Sequence, residues 1–500
     1  QLLYAPTEDL EILFKVDAGE DKSETTLGRA NGFYDTDGSF GPCAAILAGR
    51  RDDSSCVGMH NLVGNPLLPS DQKKDGSTVI SNPINELDNE WTGYNLQVDW
   101  DLGFASLKSV SSFLDFDYVQ YFDYDGTPSL FVSSEDGFPD SDTNIEQWSQ
   151  EFRLTSTGSG PLTWLVGGMV AEDTNETFQN FSTQGLADIE FTTTTLVQAE
   201  YKQKTETYAL YGQLGYDISD SLNINGSLRY TDEDKTIDHV SMRRYVGSPD
   251  LVTIGSVEGY ETSLEENWSG HIGLDWRVSD NTLLYVKFAR GFKSGGFFAA
   301  YTDDIEQLVP YAEEINDAYE IGLKSNPTED LSVNAAAFFY DYQDAQGGVT
   351  KESNSGVSDT VSTIGSVGDA EHYGVELDVA WAPSAMPGFS LQLAAAWLDA
   401  EITDSDEISF DQLGRPFSLE GSDRDYSPKT SYAVNARYEL NVTDSLLGSF
   451  SAGYSWRDDP ITRSMQLSDV DCALLCEDAY GLLNLRVALA HPEQEWEVSI

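Results

Sequence analysis

Eighteen stretches of this chain alternate apolar and polar residues, and the links between them alternate too, a tight turn and then a long polar loop. This double alternation limits the fold more than any other property of the sequence. A side-chain period of two marks a strand with one dry and one wet face. Two kinds of link, one at each end of every strand, describe a meander whose strands run up and down in chain order.

The stretches are Gln1–Ala5, Leu10–Asp17, Trp91–Trp100, Phe104–Tyr118, Ile145–Thr155, Leu162–Phe178, Glu206–Ile218, Leu222–Asp232 and Asn267–Val278. They continue with Thr282–Phe292, Ala312–Ser325, Leu331–Tyr342, Ser366–Ala380, Phe389–Ala400, Ser427–Leu440, Leu446–Trp456, Tyr480–Ala490 and Trp496–Ile500. Tight turns fall at Pro6–Asp9, Asp101–Gly103, Ser219–Ser221, Ser279–Asn281 and Asn326–Asp330. Long links rich in Asp, Gly, Ser and Thr fall at Ala18–Glu90, Gln179–Thr205, Glu233–Glu265 and Arg457–Ala479.

Alternation alone does not say which face points outward, and a soluble sandwich shows it as well. Three features favour a barrel in a membrane. Most stretches reach about ten residues, the length a tilted strand needs to cross a bilayer. All long links share one end. No second layer is available to bury the apolar stripe. In Leu222–Asp232 that stripe is Leu222, Ile224, Gly226, Leu228 and Tyr230, against Asn223, Asn225, Ser227, Arg229 and Thr231. Tyr or Trp recurs at the stripe ends, where a membrane barrel carries its aromatic girdles. Leu331–Tyr342 resists assignment, because its middle is apolar on both faces.

Composition narrows function. Asp and Glu number 85 against 28 Lys and Arg, a formal net charge of −57, which excludes nucleic acid as a partner because phosphate binding needs cations. The acidic excess fits a salty habitat, a calcium-rich surface or plain solubility. No run of eighteen apolar residues exists, so no transmembrane helix is expected. His60, His239, His271, His372 and His491 have no metal-ligand spacing, and no nucleophile elbow or phosphate loop occurs. These residues imply no enzyme and no cofactor.

Cys43 and Cys56 lie in the first long link, Cys472 and Cys476 in the last. Local disulfides Cys43–Cys56 and Cys472–Cys476 are the simplest of three pairings. The CxxxC spacing by itself is a weak metal signal.

Several segments carry a resemblance. TLLYVKFARGFKSGGFF (Thr282–Phe298), RYTDEDKTI (Arg229–Ile237) and YEIGLKSNPTEDLSVNAAAFFYDYQDAQ (Tyr319–Gln346) are three. YGVELDVAWAPS (Tyr373–Ser384), SPKTSYAVNARYEL (Ser427–Leu440) and YGLLNLRVALAHPEQEWEVSI (Tyr480–Ile500) are three more. In this order they resemble the TonB-dependent outer-membrane receptors, and they cover the chain from end to end. The resemblance implies an all-β, transmembrane, antiparallel up-and-down barrel of 22 strands in a Gram-negative outer membrane, with a plug in its lumen. Residues 1–500 then read as one barrel domain with 18 of those strands, about three preceding Gln1 and one following Ile500. The plug and its TonB-contacting segment are expected outside these residues.

The same resemblance implies active import of a scarce nutrient, driven by the TonB-ExbB-ExbD complex through the plug segment. A ferric siderophore is the default ligand; cobalamin, haem and oligosaccharides are the alternatives. Outer-membrane lipid and lipopolysaccharide are expected to surround the wall. A passive porin and a secreted β-rich hydrolase are readings of other classes. On the strand Thr282–Phe292, the residues Thr282, Leu284, Val286 and Phe288 are expected to face lipid, and Tyr285 and Lys287 the lumen. Lys293, Gly295 and Gly296 are placed at the outer rim, where cations meet lipid phosphates and glycine permits a bend. Tyr285, Lys287, Arg229 and Lys293 are the candidate ligand contacts.

Overall fold

The computed structural model describes residues 1–25, 34–35, 43–48, 56–57, 86–122, 139–182, 194–352, 360–410, 416–424, 426–458, 479–491 and 495–500. Its strands in chain order are β1 (Leu2–Thr7), β2 (Leu10–Ser23), β3 (Leu87–Asp101), β4 (Ala105–Gln120), β5 (Ser141–Ser156), β6 (Leu162–Ser182), β7 (Thr194–Ser219) and β8 (Leu222–Tyr245). There follow β9 (Leu251–Ser279), β10 (Thr282–Lys293), β11 (Glu314–Thr328), β12 (Leu331–Gln343), β13 (Gln346–Glu352), β14 (Thr360–Ser366), β15 (Asp369–Trp381) and β16 (Phe389–Asp404). The remainder are β17 (Ile408–Phe410), β18 (Pro416–Ser418), β19 (Thr430–Thr443), β20 (Leu446–Arg457), β21 (Tyr480–His491) and β22 (Trp496–Ser499).

Eighteen of these form one antiparallel sheet. Each pairs with its neighbours in chain order, as β7–β8, β8–β9, β9–β10 and β10–β11 illustrate. The pairs β13–β14 and β17–β18 are two small hairpins in the loops. Among the described residues no ladder joins β22 to β1, so the sheet has two edges.

Residues of the apolar stripe are exposed across neighbouring strands, among them Leu210, Leu228, Ile272, Val286 and Ile321. An uncovered apolar band of this extent is what lipid, not water, stabilises. Its borders are aromatic. Tyr208 and Tyr216, Trp268 and Trp276, and Tyr373 and Trp381 each stand eight residues apart on one strand. Eight residues span about 26 Å of strand; allowing for tilt and for the rings themselves, that matches an apolar band about 25 Å tall. On the loop side the girdle is made of ring pairs, Tyr230–Trp268 at 5.1 Å, Phe288–Tyr319 at 5.0 Å and Tyr373–Trp397 at 5.8 Å. On the turn side Trp381 meets Phe389 edge-on at 5.9 Å.

The opposite face is polar and braced by aromatic rings lying over glycines of adjacent strands. Tyr211 covers Gly167, Tyr285 covers Gly322 and Phe338 covers Gly374, and a Cβ at any of these glycines would overlap the ring. This places β12, whose sequence reads apolar on both faces. Phe339 belongs to the outer girdle through Tyr319. Phe338 points the other way and stacks with Tyr340 at 4.8 Å.

Two of the expected long links are largely strand. The region Glu233–Glu265 is the continuation of β8 and β9, closed by residues 246–250 alone. Of Gln179–Thr205, the structure describes β6 as far as Ser182 and β7 from Thr194. Beyond the bilayer both faces are wet, so the hydrophobic period vanishes while the ladder continues, as in Lys202↔Asp238 and Lys204↔Thr236. The longer β9 takes up its excess in three irregularities against β8. Cys43 and Cys56 are joined, their Cα atoms 5.6 Å apart, and enclose the one-turn helix α1 (Ala44–Leu47), whose Ile46 is buried. Cys472 and Cys476 lie outside the described residues.

Candidate functional site

Strand alternation fixes what the lumen presents. Tyr285 and Lys287 share the inner face of β10. The Tyr285 hydroxyl donates to Glu320 on β11, and Lys324 stands 5.6 Å from the Tyr285 ring centre. Lys287 is registered opposite Glu320. On β8, Arg229 lies 5.5 Å from the centre of the Tyr211 ring and donates from Nε to Thr231 at 3.0 Å. Tyr211 in turn donates to Glu151 on β5. The wall therefore carries two units of one design, a tyrosine seated on a glycine, bonded to a glutamate and faced by a cation. Such a lining is amphipathic.

Lys293 shares the inward register of Tyr285 and Lys287, so it does not lie on the lipid-facing side. The outward cation at this height is Arg290, paired with Asp317 on β11. Gly295 and Gly296 are buried and turn the chain inward. Gly296 bridges Tyr311 by backbone bonds of 3.1 and 2.9 Å, which closes the base of the β10–β11 loop.

This loop, residues 294–313, lies against the inner face of β8 like a strap, with a succession of inward residues of β8 holding it. Lys235 Nζ donates to the Gly295 carbonyl at 2.8 Å. His239 Nε2 donates to the Ala300 carbonyl at 2.7 Å. Ser241 Oγ accepts from the Thr302 amide at 2.9 Å and meets the Thr302 hydroxyl at 3.0 Å. Arg243 Nε donates to the Tyr301 hydroxyl at 2.9 Å, and its Nη2 pairs with Asp303. Between them Ile237 is fully buried. From β9, Tyr260 packs on the buried Phe297 at 5.6 Å. Gln179 on β6 accepts the Tyr301 amide at 3.1 Å.

Past the strap, Asp304 caps the 3₁₀ turn Ile305–Leu308 in a capping box with Gln307. Gln307 also donates to the Ser362 carbonyl at 2.7 Å and accepts from Thr363 at 3.1 Å, tying the strap to the β13–β14 hairpin. Gln346 Nε2 donates to the Ser294 and Ala312 carbonyls, both at 3.0 Å. A small core of Ala345, Val349, Val367, Ala370, Ile402 and Leu419 then joins the hairpin to the β16–β19 loop. Three outer loops thus pack as one canopy.

Burial lowers the pKa of His239 below 6.5, partly offset by its bond to Ala300; its ring stacks on Tyr201 at 6.2 Å and Nδ1 has no hydrogen-bond partner. Burial, reinforced by the Asp303 charge, raises the Tyr301 phenol well above its ordinary value. Both shifts favour the neutral form.

Sequence reasoning placed Tyr285, Lys287, Arg229 and Lys293 as four contacts; the structure separates them. Tyr285, Lys287 and Arg229 belong to the inner face of the barrel wall, Lys293 to the strap's root. Missed were Lys235, His239, Ser241 and Arg243, which lie where the hydrophobic period vanishes, in a region taken for loop.

The family described as TonB dependent receptor-like, beta-barrel matches residues 17–500. The chain belongs to the TonB-dependent receptor family. It is a barrel wall of the Gram-negative outer membrane. Among curated relatives, the pesticin receptor of Yersinia pestis is 23% identical over 269 residues, 53% of this chain and 36% of that receptor. The pesticin receptor of Yersinia enterocolitica is 24% identical over 270 residues, with the same shares. The chain thus matches about a third of these relatives' length. Among solved structures, the ferric yersiniabactin uptake receptor FyuA of Yersinia pestis superposes with a TM-score of 0.67 at 15% identity, over 97% of this chain and 60% of that one. The siderophore receptor PiuA of Acinetobacter baumannii gives 0.66 at 13% identity, over 98% and 67%. At such identities these structures support the receptor fold.

Proposed function

We propose that the protein is an outer-membrane receptor that imports a ferric siderophore, energised by TonB with ExbB and ExbD through a plug segment seated in the lumen. The family match over residues 17–500 carries this reading. Relatives named for ferric yersiniabactin and other siderophores favour iron chelates over cobalamin, haem or oligosaccharide. The inner face suits the role, since Tyr285, Lys287 and Arg229 offer a plug hydrogen-bonding and charged groups. Lys293 and the canopy present the ligand-facing rim. The protein acts as a receptor and not as an enzyme. Outer-membrane lipid and lipopolysaccharide contact the aromatic-bordered band.

The test is uptake of radioactive iron chelates by the source bacterium, with and without this gene and with and without a functional TonB. Uptake that needs both supports the reading. Unchanged iron uptake with loss of growth on a glycan, or uptake independent of TonB, contradicts it.

A further inference from the structure

We infer that the outward face of β6–β9 holds a membrane lipid in a fixed place, its acyl chain in a groove of the wall and an ammonium group in its headgroup. The inference rests on the lipid-facing wall and is independent of which ligand is imported. A groove of about 1170 Å³ runs along this face. Val166, Leu210, Leu214, Ile224, Leu228 and Ile272 line it, and it reaches from Tyr216 at the turn-side girdle to the Tyr230–Trp268 pair at the loop side. Gly212 and Gly226, on adjacent strands, bring no side chain to it, so the apolar band dips here. Within a bilayer no hydrophobic force drives one apolar surface onto another, and close packing decides what stays in contact. A flexible acyl chain follows such a groove along its length.

The loop-side end of the groove sets the headgroup. Asp232 stands two residues past Tyr230, opposite Tyr208 on the outward face, and Glu206 stands two residues past Tyr208. Two residues are about 7 Å of strand, which puts both carboxylates in the headgroup layer above the girdle. Glu172 is registered opposite Glu206. The outward cations nearby are paired. Lys204 lies 3.1 Å from Glu172 and 3.2 Å from Glu206, Lys202 pairs with Glu176, and Arg290 is held by Asp317. Asp232 makes no hydrogen bond or ion pair among the described residues. A headgroup ammonium therefore meets a free carboxylate, and a headgroup of net negative charge meets repulsion. A second copy of the chain fits worse for the same reason. A two-fold axis along the membrane normal sets equal heights together, so the carboxylates of one wall would face those of the other.

The experiment is native mass spectrometry of the full-length receptor in mild detergent, titrated with phosphatidylethanolamine or with phosphatidylglycerol of the same acyl chains. The receptor should retain phosphatidylethanolamine, with a preference of about fivefold over phosphatidylglycerol. Gly212→Leu fills the groove and should lose the lipid; an added Cβ there meets only ordinary contacts, Leu165 O at 3.6 Å and Val166 at 3.9 Å, so the barrel should stay folded and heat-modifiable. Leu228→Phe fills the same groove from β8 and should act alike. Asp232→Asn should keep the retained lipid and erase the headgroup preference. No retained lipid, an equal or stronger hold on phosphatidylglycerol, retention untouched by both filling variants, or a dimer in place of the lipid-bound monomer overturns the inference. Each of these outcomes leaves the iron-chelate reading standing, because that reading is tested by uptake.

Discussion

The hydroxyl of Ser241 meets the hydroxyl of Thr302 at 3.0 Å with both residues sealed from solvent, and this contact fastens an outer loop to the inside of the barrel wall. A buried hydrogen bond contributes little net stability while it is made and costs much more once one partner is removed. Ser241 also accepts the Thr302 amide, so its loss strands that amide and takes a partner from the Thr302 hydroxyl.

Ser241→Ala in the full-length receptor is therefore expected to loosen the strap by about 1–3 kcal/mol. Hydrogen exchange reads this directly. The Thr302 amide should exchange about ten- to a hundredfold faster, while amides of the membrane-spanning part of β8 stay protected. Unchanged exchange at Thr302 would mean that other contacts hold the strap.

The strap should also weaken in acid. The folded pKa of His239 lies below its unfolded value of 6.5, because burial disfavours the imidazolium. The unfolded or released form therefore takes up the proton first. The stability from neutral His239 is complete above pH 6.5 and falls as pH drops from 6.5 through the lowered folded value. Faster exchange of strap amides at pH 5 than at pH 7.5, corrected for intrinsic rates, is the expected result, with the difference abolished in His239→Gln.

Outward and inward positions should respond oppositely to charge. Leu210 and Asn225 sit on adjacent strands, Leu210 at 68% exposure in the lipid-facing stripe and Asn225 inward, bonded to Asp275 at 3.0 Å. Leu210→Arg is expected to cost about 2–4 kcal/mol near the midplane and to lower the yield of heat-modifiable, folded barrel. Asn225→Arg should fold normally.

The ring-over-glycine joints make a steric prediction. Gly322→Ala places a methyl into the Tyr285 ring and should cost about 1–3 kcal/mol by overpacking. Gly291 on β10 has nothing within 4 Å of an added Cβ, so Gly291→Ala should be close to neutral. Urea midpoints of the two variants in detergent distinguish them.

How much of this was legible follows from where water is. Within the bilayer one face is dry, and Leu222, Ile224, Leu228 and Tyr230 announced the strand and its outward side. From Glu233 to Tyr245 both faces are wet or covered by protein, and the same strand showed no period in its hydrophobicity. Phe338 hid β12 for the opposite reason, since its ring packs on Gly374 inside the wall and mimics a second lipid face. The strap was out of reach because its anchors pair residues about 60 positions apart, such as His239 with Ala300 and Arg243 with Asp303. Only the glycines at its root pointed to a bend, and its inward direction was not read.

The most direct measurement places single cysteine-linked fluorophores along β8 of the full-length receptor in lipid vesicles and scans quenching by a brominated lipid. Labels at positions 224 and 228 should be quenched strongly and labels at 225 and 227 weakly, a period of two that dies out beyond Asp232. Strong aqueous iodide quenching at 224 and 228, or equal lipid quenching at all four positions, would contradict a wall whose apolar stripe touches acyl chains.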